Sequence, residues 1–155
     1  MTMNYTTTKY LLLILVLSPN LLQMMASSEK LKCLFTSKFE VYVASNLPYE
    51  AQPLTMHCAS KDDDLGHHTL TTNQEFHFHF CLRPFATLFF CHLWWENKDS
   101  AFEVYNGNWR HDICFRNHTC YWVAKSDGIY FSPFYPPQEL VKKYSWNENV
   151  RKSSH

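Results

Sequence analysis

Residues 53–95 contain three strand-like runs: PLTMHCAS at residues 53–60, NQEFHFHFCL at residues 73–82 and TLFFCHLWW at residues 87–95. The middle run alternates phenylalanine with histidine or cysteine, and this period of two is typical of a strand with one buried face. The last run is almost wholly apolar, which indicates a strand that is buried on both faces or central in its sheet. The acidic segment KDDDLG follows the first run and must be a solvated turn, because three adjacent carboxylates repel one another and need water.

Further strands are predicted on both sides of this segment from alternation and from β-branched and aromatic residues. Asn106-Gly107 and Asp127-Gly128 are tight-turn pairs, and the sequence has no convincing amphipathic helix pattern. Seven or eight short strands predict an all-β fold, a small antiparallel β-sandwich stapled by disulfides, with an open barrel as the alternative. The additional strands are expected at residues 39–43, 101–105, 109–115, 120–124 and 129–131.

The N-terminal residues have the layout of a secretory signal peptide. Lys9 precedes an apolar run at residues 11–17, and small residues follow at positions 26–28, so residues 1–28 are predicted to be removed. The run is shorter than the roughly 20 apolar residues of a membrane span. A retained signal anchor is therefore the less favoured alternative, and no membrane insertion is expected after cleavage.

The C-terminal boundary of the domain is placed where the strand period is lost, after Pro133. The sandwich is assigned to residues 29–135 and a C-terminal tail to residues 136–155. Within the tail, residues 140–141 are expected in a short helix or an edge strand, and residues 145–155 are expected to be frayed.

The charge of the chain argues against a nucleic-acid partner. The chain has 14 basic and 14 acidic residues, and removal of residues 1–28 takes away only Lys9, which leaves a net charge of −1. A near-neutral chain does not supply the basic surface that nucleic-acid binding needs.

The six cysteines predict disulfides, because a chain that enters the secretory route meets an oxidising environment. Six cysteines allow fifteen pairings, and the sequence does not choose among them. A zinc site would need close pairs, whereas the nearest two cysteines are six positions apart. The disulfide candidates are Cys33, Cys58, Cys81, Cys91, Cys114 and Cys120.

Histidines are the residues most suggestive of chemistry in this chain. His77 and His79 lie on one side of a predicted strand, about 7 Å apart, and could bind zinc or copper if His57 or His92 supplied a third ligand. Because the neighbouring phenylalanines face the predicted core, the simpler interpretation places both histidines on a solvent face. The chain also lacks GxSxG, HExxH, P-loop and dinucleotide motifs. We therefore predict no catalytic, cofactor-binding or metal-binding residues.

Two surface features could serve recognition. Asp62, Asp63 and Asp64 lack the alternating ligands and central glycine of an EF-hand loop, so they are interpreted as a solvated turn, or as a contact loop read by a basic patch on a partner. Asn117 begins the sequon Asn-His-Thr between two cysteines, where an exposed loop is expected, and is a candidate glycosylation site.

Seven short segments occur in a characteristic order and spacing. They are NL at residues 46–47, LTMHCASKDDDLG at 54–66, FHF at 76–78, TLFFC at 87–91, FEVY at 102–105, CYWV at 120–123 and DGIY at 127–130. In this order they resemble the plant self-incompatibility protein S1 family, also called S-protein homologues. The resemblance implies a small secreted β-sandwich that acts as a ligand and has no catalytic residues. The founding members are stylar signals that pollen recognises when self is rejected.

The resemblance also implies four family cysteines, Cys58, Cys91, Cys114 and Cys120. Three of these share strand faces with apolar residues, so at least one bridge is expected in the core. The favoured pairs are Cys58 with Cys120 and Cys91 with Cys114. Cys33 and Cys81 are additional to the family pattern, and three outcomes stay open: they pair with each other, they are free, or they join two chains.

The expected function is that of a secreted, extracellular signalling ligand recognised by a cell-surface receptor. The loop of Asp62, Asp63 and Asp64 is the candidate receptor contact. No cofactor is expected, and neither the receptor nor the oligomeric state is predicted. The alternatives are a secreted metal-binding or cell-wall structural protein and a secreted hydrolase that uses histidine.

Overall fold

The computed structural model describes Cys33, residues 36–109 and residues 114–148. The predicted signal peptide at residues 1–28 lies outside these residues. Ten strands are present in the described residues, and no helix there is long and apolar enough to cross a membrane. The strands are β1 (Lys38–Ser45), β2 (Leu54–Ser60), β3 (Asp64–Leu70), β4 (Glu75–Cys81), β5 (Leu88–Trp95), β6 (Lys98–Asn106), β7 (Thr119–Lys125), β8 (Gly128–Ser132), β9 (Val141–Tyr144) and β10 (Asn147–Glu148).

The strands form two five-stranded sheets, which confirms the predicted all-β sandwich. Sheet I has the order β4-β1-β7-β8-β9, and sheet II has the order β10-β6-β5-β2-β3. Every pairing is antiparallel except that of β1 with β7, which is parallel. The apolar run at residues 88–95 becomes β5, the central strand of sheet II, as its composition indicates.

The sequence did not predict β3 and β10, and it predicted an edge strand at residues 140–141, where β9 begins, only as an alternative to a short helix. Strand β3 contains Gly66 and two adjacent histidines, all four residues of β9 are exposed, and β10 has only two residues. None of the three has the alternation of a half-buried strand. Conversely, Trp109, Cys114 and Phe115, which we assigned to a strand, lie outside strands.

Part of the segment assigned to a C-terminal tail is paired with both sheets. Strand β9 pairs with β8 at the edge of sheet I, and β10 pairs with β6 at the edge of sheet II. Between them, the Trp146 indole Nε1 donates a 2.8 Å hydrogen bond to the Lys125 carbonyl. The ordered sandwich therefore extends to at least Glu148, beyond the boundary expected at residue 135.

The core lies between the two sheets and follows the period-two pattern. Phe78 and Phe80 of β4 are buried, whereas His77 and His79 are exposed on the opposite face. At the centre, the Trp122 ring of sheet I packs against Phe102 of sheet II at 5.0 Å between centroids. Large aromatic rings of this kind each bury a large apolar area in the core.

All six cysteines are paired, as Cys33–Cys81, Cys58–Cys91 and Cys114–Cys120. The first pair is one of the three outcomes that we left open. The favoured pairs, Cys58 with Cys120 and Cys91 with Cys114, are wrong. Cys58 and Cys91 face each other on neighbouring strands of sheet II, with 4.1 Å between Cα atoms, whereas Cys120 lies in sheet I. Strand order, which the sequence does not reveal, decides this pairing.

Candidate functional site

The acidic turn, defined here as Asp62, Asp63 and Asp64, joins β2 to β3 at the closed end of a hairpin. The Ser60 side chain organises it, because its Oγ accepts hydrogen bonds from the backbone N–H groups of Asp62 (3.2 Å) and Asp63 (2.9 Å). The Ser60 N–H in turn donates to the Asp63 carbonyl at 2.7 Å. The turn is therefore internally braced, and Asp62 and Asp63 are exposed on it, with the Asp63 Oδ2 3.4 Å from the Ser60 hydroxyl.

Asp64 has a different role from its two neighbours. Its Oδ1 accepts the Gly66 N–H at 2.9 Å and lies 2.7 Å from Nε2 of His57. The Gly66 N–H and then the His57 ring hold the pKa of the Asp64 carboxyl below its ordinary value, because both stabilise the charged form. Asp64 thus stabilises the hairpin, which leaves Asp62 and Asp63 as the members of the turn that could contact a partner.

Asp62 connects the acidic turn to the loop between β4 and β5. Its Oδ2 lies 3.7 Å from Nη1 of Arg83, and both side chains are more than two-thirds exposed. An exposed pair of this kind adds little stability. It does show that residues 83–87 border the acidic turn, so the two loops form one end of the sandwich.

The outer face of sheet II carries a row of histidines. His57 of β2 lies opposite His67 of β3 and His92 of β5. The His92 Nε2 lies 2.8 Å from Asp99, just as that of His57 lies 2.7 Å from Asp64. A carboxylate can orient an imidazole for proton transfer, but catalysis also requires a place for a substrate.

A zinc or copper site at His77 and His79 would require His57 or His92 to lie close to them as a third ligand. The first two lie on β4 in sheet I and the other two on β2 and β5 in sheet II. His77 instead stacks on Tyr42, with ring centroids 4.5 Å apart. Within the part of the chain that the structure describes, no group of three or more His, Cys, Asp or Glu residues could hold a metal ion.

A cavity of about 280 Å³ opens at the opposite end of β2 from the acidic turn. Its lining contains no histidine, aspartate or glutamate, so the His–Asp pairs of sheet II do not face it. The histidine row and this cavity are therefore separate features. The lining residues are Ser45, Leu47, Tyr49, Ala51, Gln52, Pro53, Leu70, Thr71 and Thr72.

The outer face of sheet I is partly covered by the chain that follows β8. The Tyr135 ring stacks on Tyr42 at 4.1 Å, and its hydroxyl donates a 2.8 Å hydrogen bond to Glu75 of β4. The Glu75 carboxylate raises the pKa of the Tyr135 phenol, because it favours the protonated, donating form. The segment that follows β8 therefore covers part of the outer face of sheet I.

Asn117 is exposed at the tip of the seven-residue ring that the Cys114–Cys120 disulfide closes. Its Nδ2 donates a 3.1 Å hydrogen bond to the Pro133 carbonyl, and the Thr119 hydroxyl donates to the Asn117 carbonyl at 3.1 Å. An amide that carries a glycan keeps one N–H, so this arrangement is compatible with modification.

The family profile described as plant self-incompatibility protein S1 matches residues 40–146, which extend from within β1 past the end of β9. The chain belongs to this family. Among S1-family relatives in Arabidopsis thaliana, S-protein homolog 5 is 42% identical over 77 residues, which are 49% of this chain and 58% of the relative. S-protein homolog 24 is 40% identical, over 50% of this chain and 51% of the relative. The chain thus spans little more than half the length of these two proteins.

A longer match connects this S1-family chain with S-protein homolog 29 of the same plant, 32% identical over 72% of this chain and 79% of the relative. A solved structure of a self-incompatibility protein homologue aligns with a TM-score of 0.59 and 17% identity. It covers 74% of this chain and 99% of the other. That likeness shows the shared fold, and the proteins of that structure are described as small, highly stable and secreted. The extracellular location expected from the sequence agrees with this description.

Three features of this S1-family protein were not predicted from the sequence. They are the separate role of Asp64, the contact of Asp62 with Arg83, and the exposure of Phe85 in the loop at residues 83–87. The first had a weak local signal, since an aspartate two residues before a glycine often accepts the backbone N–H of a turn. The others depend on how distant loops meet.

Proposed function

We propose that this S1-family protein is a secreted, non-catalytic ligand of a cell-surface receptor and that residues 1–28 are its signal peptide. The observation that carries the proposal is the acidic turn. Asp62 and Asp63 lie exposed on a hairpin braced by Ser60, at one end of a disulfide-stapled sandwich. A rigid scaffold that displays charged loops is the usual basis of recognition by surface complementarity.

Three disulfides in a chain of this size support passage through an oxidising compartment. A protein outside the cell needs a stable fold, and each bridge contributes about 2–4 kcal/mol by restricting the unfolded chain. Family membership supports the same reading, since the matched profile is that of a self-incompatibility protein. The His–Asp pairs of sheet II lie on an open face away from the cavity, which favours a binding role over a hydrolase.

In this proposal, the charge of the turn guides and orients the receptor encounter. Asp62 and Asp63 would face basic side chains of the receptor, and such pairs at the edge of an interface act mainly on association rate and specificity. The sandwich itself would move little on binding, as in other pre-organised complexes.

The experiment is saturation binding of the labelled, oxidised protein to intact plant cells, with unlabelled protein as competitor. Asp62→Lys and Asp63→Lys are expected to weaken binding about tenfold or more, since like-charge contacts are unfavourable by several kcal/mol. Glu50→Lys is the matched control, because Glu50 is an exposed carboxylate at the other end of β2. Asp64 is left unchanged because it stabilises the hairpin. Absence of saturable binding by the wild-type protein would overturn the proposal.

A further inference from the structure

Phe85 has an unusual combination of backbone conformation and exposure. Its φ is +62°, in the left-handed region that glycine and asparagine favour, and its side chain is 82% exposed. A bulky aromatic residue is rare in this region and strains the backbone. Neither the proposed role of the acidic turn nor the packing of the core explains why a large apolar ring is displayed there.

The loop that carries Phe85 is held in one conformation by a dense set of hydrogen bonds. The Thr87 Oγ1 accepts the Arg83 N–H at 2.9 Å and donates to the Arg83 carbonyl at 3.1 Å. The backbone N–H groups of Ala86 and Thr87 donate to the same carbonyl, each at 3.1 Å. Because the loop is closed on itself, the Phe85 ring is displayed from a rigid base, which lowers the entropy lost on binding.

The turn that follows β6 braces the same loop from outside. The Gly107 N–H donates a 2.8 Å hydrogen bond to the Thr87 carbonyl, and a Cβ atom at Gly107 would lie only 3.2 Å from that oxygen. A glycine is therefore favoured at position 107, because it allows the close approach that supports the Phe85 loop.

Two further apolar side chains follow Phe85 on the outer face of β5. Leu88 is 37% and Phe90 is 40% exposed. The start of β5 lies beside the end of β2, since Phe90 pairs with Ala59, and Arg83 reaches Asp62 at 3.7 Å. The Phe85 surface, defined here as Phe85, Leu88, Phe90, Asp62 and Asp63, is thus an apolar area with carboxylates along one side.

We infer that Phe85 is the apolar anchor by which this protein binds its receptor, its ring entering an apolar pocket of the receptor's extracellular protein domain. Leu88 and Phe90 pack around that pocket, and Asp62 and Asp63 contact basic side chains at its edge. A projecting ring is complementary to a concave protein pocket, and a few well-packed side chains supply most of the energy of protein interfaces, whose cores are enriched in aromatic residues. This inference rests on the proposed function and assigns its central contact.

A lipid bilayer is the less suitable partner for this surface. Asp62 and Asp63 lie at its side, and Phe90 is paired with Glu103 on β6. Insertion of the rings would bring these carboxylates toward hydrocarbon and toward anionic lipid headgroups, and both are unfavourable.

The test compares Phe85→Gly and Phe85→Asn with wild-type protein in the cell-binding assay. Both variants remove the ring and accept the left-handed backbone, so unfolding midpoints are expected to be unchanged or raised while receptor affinity falls at least about tenfold. Tyr49→Ala is the matched control, because Tyr49 is 81% exposed in the loop at the opposite end of β2. It is expected to bind as the wild type does.

The outcomes separate this inference from the proposed function. If wild-type protein binds saturably and Phe85→Gly binds equally well, the assignment of Phe85 as the anchor is wrong, although the proposed ligand function holds. If the wild type shows no saturable binding, both fail. If wild-type protein binds vesicles of phosphatidylcholine and phosphatidylserine in a Phe85-dependent way, and surface proteolysis of the cells leaves binding intact, a membrane rather than a protein pocket is the partner.

Discussion

The Trp122 indole Nε1 of β7 donates a 3.0 Å hydrogen bond to the Val104 carbonyl of β6, and this bond joins sheet I to sheet II through the core. Trp122 is 2% exposed and Val104 is fully buried. A carbonyl that is hydrogen-bonded across the core, rather than to a neighbouring strand, specifies how the sheets sit on each other. The two sheets are otherwise joined mainly by apolar packing, which is less directional.

Replacement of Trp122 by phenylalanine should destabilise the fold. The change leaves the buried Val104 carbonyl without this donor, which costs about 1–3 kcal/mol, and it removes ring volume from the core. Chemical unfolding would measure the loss. Trp146→Phe is the matched control, because the Trp146 indole donates to the Lys125 carbonyl at a partly exposed site where water can substitute. Equal losses in the two variants would contradict a special role for the cross-sheet bond.

Two of the three disulfides, Cys33–Cys81 and Cys58–Cys91, should contribute unequally to the free energy of unfolding. The residue separations of Cys33–Cys81 and Cys58–Cys91 are 48 and 33, so their loop-closure entropies differ by only about 0.3 kcal/mol. The expected difference in stability therefore comes from burial, because Cys58 and Cys91 are fully buried whereas Cys33 and Cys81 are half-buried. We expect replacement of Cys58 and Cys91 by alanine to cost about 4–5 kcal/mol, and replacement of Cys33 and Cys81 about 2–3 kcal/mol.

Unfolding in denaturant would compare the two double variants, after peptide mapping of the bonds in the wild-type protein. A larger loss from the Cys33 and Cys81 variant would show that its bridge does more than close a loop at the sheet edge. Recovery of a peptide that joins Cys58 to Cys120 would contradict the pairing of the structure.

The sequence predicts those features of the fold that depend on residues close together in the chain. The alternation at residues 76–81 assigns Phe78 and Phe80 to the core because a strand turns successive side chains to opposite faces. Likewise, three adjacent carboxylates require solvent wherever they lie in the fold. These local arguments identified the sandwich and the acidic turn.

Contacts between distant segments were not predictable in the same way. The Cys58–Cys91 bond depends on β2 and β5 being neighbours in sheet II, and the Arg83–Asp62 contact depends on two loops meeting at one end. Strand β3 was not predicted because it is an edge strand in which Leu70 is the one buried side chain. Such features are set by the order of strands, about which alternation carries no information.

Asn117 should carry an N-linked glycan when the protein is made in a plant secretory system. The residue is exposed at the tip of the ring closed by Cys114 and Cys120, and Thr119 completes the sequon. Mass spectrometry before and after enzymatic deglycosylation would detect it, and Asn117→Gln should remove the added mass. Because the side chain makes one hydrogen bond to Pro133, the variant should lose no more than about 1 kcal/mol. An unmodified Asn117 in secreted, folded protein would contradict this prediction.

Asp64 should make the stability of the fold depend on pH in the acid range. Its folded pKa lies below the ordinary value of 3.8, first because it accepts the Gly66 N–H and second because of His57. Its stabilising contribution is therefore complete above about pH 4 and is lost as the pH falls through the lower, folded pKa. Thermal unfolding at a series of pH values from 5 downward should show this loss, and Asp64→Asn should reduce the slope.

The difference between wild type and Asp64→Asn isolates this residue, because the pKa values of Glu40 and Asp127 are also lowered and contribute to the wild-type slope. His57→Phe is the graded comparison. It removes the His57 contribution to the lowered pKa of Asp64 and keeps that of the Gly66 N–H. The variant should therefore retain more of the pH dependence of stability than Asp64→Asn does. NMR titration of the Asp64 carboxyl carbon would follow the same group directly. A titration midpoint at or above the ordinary value in the wild-type protein would show that the hairpin does not hold Asp64 in its charged form.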